Sequence, residues 1–130
     1  MSVRATLPVI LLILTFAASP LHAQYVEIYR LDNLVKDVPE QEAIGKLAAH
    51  FAVSADSIKL EKAEYQASIG ELYMAHELAK LAGSDAKSIM TELRSLKKGW
   101  SELVQEKNLK MDEIRKDSHR LEETLKKTQR

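Results

Sequence analysis

The histidines and methionines are the side chains in this sequence best suited to chemistry. His50, His76 and His119 lie in the body of the chain, with Met74, Met90 and Met111 around them, and His22 stands in the leading segment. Imidazole and thioether groups together suit copper. The densest group is "MAHE" at 74–77. On a helix, Met74 and His76 are two residues apart and point about 200° away from each other. A site carried by one helix needs ligands three or four residues apart. The spacing therefore assigns Met74 to a core and His76 to its edge, and neither metal nor cofactor is expected. The chain has no cysteine, which removes thiolate ligands, thiol nucleophiles and disulfides. Four glycines are too few for a phosphate cradle, and the nucleophile-elbow, zinc-helix and P-loop patterns are missing. The sequence thus offers no catalytic residue and points to a non-enzymatic role.

Two features suit contact with a partner. Met111, Ile114, Ser118, Leu121 and Leu125 are spaced three, four, three and four residues apart, the narrow seam of a coiled coil. Asp112–Lys116, Glu122–Lys126 and Glu123–Lys127 are i,i+4 pairs of the favourable polarity. Trp100 is the single tryptophan; its indole N–H favours the margin of a core. Met111, Ile114, Leu121, Leu125 and Trp100 are therefore the candidate contact residues. The partner would be another envelope protein or a second copy of this chain, through the C-terminal helix. No nucleic acid is expected.

The elements that hold these residues follow from the chain's punctuation. Arg4 precedes an apolar run, Leu7 to Ala18, which is too short to span a bilayer. Pro20 breaks the run, and Ala23 offers a cleavage point before Gln24. Residues 1–23 read as a signal peptide, placing the protein in the periplasm or outside the cell with no integral membrane segment after cleavage. Removing Arg4 from the nineteen basic residues leaves eighteen against nineteen acidic ones, a net charge of −1. Such a chain has no general attraction to phosphate backbones or anionic lipid.

Residues 24–38 are expected to form an arm, extended or partly helical, lying on a helical body. Asp37 reads as a cap with Pro39 in the first turn of a helix. Ile44, Leu47, Ala48 and Phe51 then share one face. Ser54 caps a second helix, and "SIGE" at 68–71 is a capping box. Gly83 ends that helix, and Ser84 or Asp85 caps the next. "GWSE" at 99–102 opens another, closed by Asn108. Residues 111–130 read as one long, charged helix.

Within 39–110 the chain repeats. The segment 44–58 aligns without a gap on 100–114, matching Ile44 with Trp100, Leu47 with Leu103, Val53 with Leu109, Asp56 with Asp112 and Ile58 with Ile114. A middle copy, 69–89, carries six extra residues. A helix, a turn and a helix cannot hide its apolar face alone, so such units must stack. The expected fold is all-α, with short helices in duplicated helix-turn-helix units and a long C-terminal helix.

"LAAHFAVSADSI" resembles the helix-turn-helix of bacterial transcription regulators, with Ala52 where glycine is usual. The would-be reading helix offers Lys59 and Lys62 against Asp56, Glu61 and Glu64, and no arginine or asparagine for base edges. The segment from Ile44 to Ile114, with "KKGWSEL" at 97–103, resembles a group of small exported bacterial helical proteins that carry a "G-x-G-W-G-E-I" type segment. That resemblance implies a fold and no mechanism. The sequence therefore leads to an exported interaction or scaffold module, with a periplasmic helical chaperone or stress protein as the alternative reading.

Overall fold

The computed structural model describes residues 21–128. Most of the expected signal peptide lies outside the described residues. Among the described residues there are seven helices and no strand: α1 (Leu21–Val35), α2 (Glu40–Phe51), α3 (Ala55–Tyr65), α4 (Ile69–Ala82), α5 (Ala86–Arg94), α6 (Trp100–Glu106) and α7 (Met111–Thr128). The all-α class and the long terminal helix are as expected.

The arm is helical up to Val35, and the same helix takes in Leu21–Ala23 of the expected signal peptide. Ile28 and Leu31 are buried, three residues apart on one side of α1. That side lies against α4, so burial decides between the strand and helix tendencies of "YVEIYRL". Gly70 makes the approach possible. A Cβ there would collide with the Ile28 carbonyl oxygen and sit 2.9 Å from both Ile28 Cα and Asp32 Oδ1. The Gly70 N–H donates to Asp32 Oδ1 at 2.7 Å. An α1 carboxylate thereby satisfies one of the free donors at the start of α4, where the helix dipole also favours negative charge.

Local signals set the other boundaries, with one change. Ser54 accepts from the Ser57 N–H at 3.1 Å and Asp85 from the Ser88 N–H at 2.7 Å. The Ser68–Glu71 box is complete, with both bonds at 3.1 Å. Asp37, however, does not cap α2. Pro39 takes that position, no side chain caps it, and the Pro39 carbonyl accepts from the Glu42 and Ala43 N–H groups. At Gly99 only half a box exists, because glycine has no side chain to accept; its N–H donates to Glu102 Oε1 at 3.4 Å. Left-handed residues end α2, α3 and α4 at Ala52, Gln66 and Gly83, with φ of 55°, 49° and 69°.

Helix α4 is the hub. Leu72, Tyr73, Met74, Ala75 and Leu78 are all fully buried, which requires apolar neighbours on most sides. It touches α1, α2, α3 and α5, while α7 lies across α1 and α2, and α1 also meets α6. The residues matched by the repeat, Ile44, Ile69 and Trp100, are all buried. Ile44 lies inside α2, whereas Ile69 and Trp100 open α4 and α6.

Candidate functional site

Tyr73, His76, Glu77 and Lys80 follow one another at three, one and three residues along α4, so they project to one side. Three other helices meet them there: the last turn of α2 brings His50 and Phe51, α3 brings Glu61, and α7 brings Asp117. The His50 Nε2 lies 2.7 Å from Asp117 Oδ2, which also accepts from the Tyr73 hydroxyl at 2.9 Å. The same hydroxyl reaches the Ile114 carbonyl at 3.1 Å. Lys80 Nζ lies 2.9 Å from Glu77 Oε1 and 3.5 Å from Asp117 Oδ1. On the outer side, His76 Nε2 meets Glu61 Oε1 at 2.7 Å. The Phe51 ring sits between the two histidines, edge-on to His50 at 4.9 Å and stacked on His76 at 5.3 Å. Lys80 Nζ stands 5.8 Å over that ring.

Burial and nearby carboxylates push the Tyr73 phenol far above its ordinary range, so it stays protonated and acts as a donor. Burial works against a charge on Asp117, but the hydrogen bonds from His50 and Tyr73 outweigh it and hold its carboxyl below the usual range. Glu77 is pushed up, first by burial and then by the neighbouring Asp117, against the pull of Lys80.

A second polar joint fastens α7 to α1. Ser118 Oγ donates to Glu27 Oε2 at 2.8 Å, and Arg30 Nη2 reaches Glu122 Oε1 at 2.9 Å. His119 Nδ1 lies 3.2 Å from Glu122 Oε2, and Arg115 Nε lies 3.7 Å from Glu27 Oε1.

The residues singled out for partner contact are placed differently. Ile114, Leu121 and Leu125 are fully buried, Trp100 is 2% exposed, and Met111 is half-buried against the same core. The seam exists, but α1 and α2 of the same chain cover it, which corrects its expected role as a free surface. The reason is energetic: burying the three aliphatic side chains stabilises the fold by on the order of 5–9 kcal/mol, reached without a second molecule. Met74 lies in the core and His76 at its edge, as their spacing implies. Among the described residues no three His, Cys, Asp or Glu side chains are arranged to hold a metal ion. His50 and His76 do come together around Phe51, yet each faces its own carboxylate.

Tyr73, which the sequence offers as a groove-lining or core-edge residue, is fully buried. Reasoning from sequence missed Glu77, Lys80 and Asp117. The first two carry a legible signal, since polar residues at helical spacing interrupt the apolar surface of α4. Asp117 carries none, because only the docking of α7 turns it inward.

Beside this cluster opens a cleft of about 360 Å³. The end of α2, the starts of α3 and α5, and one edge of α4 form its walls. Phe51, Val53, Glu61, His76, Lys80 and Lys87 are among its lining residues. Neither Tyr73 nor Asp117 lines it, so the innermost groups are closed off from it. Comparison with protein-family models, curated proteins and solved structures gives no match.

Proposed function

We propose that this chain is an exported, non-enzymatic interaction or scaffold module, periplasmic or secreted, and that it meets another envelope protein through the cleft between α2, α3, α4 and α5. The observation that carries this reading is the division of labour among the polar groups. The carboxylates of the His50–Asp117 and His76–Glu61 pairs tie helix to helix. Val53, 38% exposed, Lys80, 52% exposed at its side chain, and Lys87, also exposed, stand around open space. An apolar floor with charges at the rim is the composition of a recognition surface. The stacked helix-turn-helix units expected from the repeat supply its rigid frame.

Affinity capture from the native envelope with the full chain, alongside a Val53→Asp/Lys87→Glu variant, tests the reading. Both positions are exposed, so the variant should keep its urea midpoint within about 0.5 M. Loss of a partner captured by the unaltered chain supports the cleft; equal capture by both refutes it. If instead the chain captures no defined partner and slows aggregation of an unfolded client, a chaperone replaces the module.

A further inference from the structure

The buried carboxylates of this fold lie in the two polar joints that dock α7. Among the described residues, Glu27, Glu77, Asp117 and Glu122 are the buried carboxylates, and all four belong to the layer that seats α7. Glu77 differs from the others. It is 1% exposed, and its Oε1 accepts no hydrogen bond. The Lys80 ammonium comes within 2.9 Å of that oxygen, but not along a bonding direction, and it also serves Asp117. Among the described residues, that half-exposed ammonium is the one cation beside Glu77, and Glu77 must share it with a second buried carboxylate.

The other groups facing the pair do not relieve Glu77. From α2, His50 bonds Asp117; from α4, Tyr73 bonds Asp117; within α7, Arg120 lies 3.6 Å from Asp117. From α1, Glu27 adds a further negative charge near Tyr73. A buried carboxylate with an oxygen that accepts no hydrogen bond is costly when ionised, and a single shared ammonium offsets only part of that cost. A protonated one supplies the missing donor itself, and two neighbouring carboxyls that cannot both ionise settle on one proton. We propose that Glu77 and Asp117 share a single proton, which the protein takes up as α7 seats, so that the seating of the terminal helix depends on pH.

The pH dependence has two limbs. Glu77 is raised above 4.5 by burial first, so its contribution is fully present below 4.5 and fades as pH rises through its raised value. Asp117 is lowered below 3.8, burial opposing and the His50 and Tyr73 bonds prevailing. Its contribution is present above 3.8 and fades as pH falls. Seating of α7 is therefore tightest near pH 4 and loosens on both sides.

Hydrogen exchange of the α7 amides in the full chain, corrected for intrinsic rates between pH 4.5 and 8, reads the basic limb. The opening ratio should rise, by up to about tenfold per pH unit, until Glu77 has ionised, and then level. In Glu77→Gln that rise should vanish. Equal slopes in the two proteins overturn the proposal. An infrared band of a protonated carboxyl should persist in the unaltered chain above the pH at which it vanishes from the same chain unfolded in urea, and be missing there from Glu77→Gln; loss of the band at one pH in the folded and unfolded chain also overturns the proposal. Should Glu77→Gln fail to fold, Lys80→Met keeps the stem over Phe51 and removes the ammonium. It should move the band's disappearance to higher pH, and an unmoved band refutes the shared proton.

Discussion

Gly45 and Gly70 follow matched isoleucines in the repeat, so by sequence they should respond alike to alanine. The structure assigns them opposite responses. Nothing lies within 4 Å of a Cβ built on Gly45, which sits inside α2. Gly45→Ala should stabilise by about 1 kcal/mol through helix propensity and a less flexible unfolded chain. At Gly70 the added carbon meets the α1 backbone. Ile28 Cα would stand at 2.9 Å where ordinary contact begins near 3.4 Å, so α1 must withdraw by at least 0.5 Å. Overpacking of this kind costs about 1–3 kcal/mol. Withdrawal also stretches the Gly70–Asp32 hydrogen bond, worth about 1.5–3 kcal/mol because its acceptor is charged. Against a propensity gain of about 1 kcal/mol, Gly70→Ala should destabilise by about 2–4 kcal/mol. Urea unfolding followed by the fluorescence of buried Trp100 measures both. With a slope of about 1.5 kcal/mol per molar, the midpoint should fall by about 1.3–2.7 M for Gly70→Ala and rise by about 0.7 M for Gly45→Ala. Midpoints moving in the same direction would refute the close approach of α1 and α4.

Two further outcomes can be measured on the same instrument. Asp117→Ala leaves the fully buried Tyr73 hydroxyl with only the Ile114 carbonyl and strips His50 of its partner; a loss of about 2–4 kcal/mol is expected. Because the Asp117 carboxyl is held low, its share of stability should be intact above pH 3.8 and disappear on acidification, and the gap between variant and unaltered chain should close in acid. A gap that stays constant from pH 7 to pH 2.5 would remove the link. Ala52 ends α2 with φ of 55° in a left-handed conformation that disfavours an L side chain by about 1–2 kcal/mol. Ala52→Gly should therefore raise the urea midpoint by about 0.5 M, and a fall of that size would show that no strain resides there.

Most of the helical boundaries were legible because each is settled by residues within a turn of it. Ser54, Ser68, Asp85 and Gly83 act through their own side chain or their own φ, and a linear reading finds such signals. The arm was harder. Tyr25, Val26, Ile28 and Tyr29 suit a strand or a helix equally, and the choice falls to Gly70, some forty residues away. The seam of α7 was legible as a pattern and silent as to its occupant, because a 3–4 spacing records that a face is apolar and not what covers it.

The sequence by itself determined the helical class, the caps at Ser54, Ser68 and Asp85 and the apolar faces, since these depend on propensity, periodicity and local hydrogen bonds. Only the tertiary structure decided that α7 closes on its own chain, that His50 and Tyr73 both bond Asp117, and that Glu77 lies buried beside them. Those facts depend on which side chains different helices bring together. A carboxylate reads the same in sequence whether it ends in water or beneath another helix. Burial then separates the two, because taking the charge out of water makes its proton, its partner and its neighbours matter.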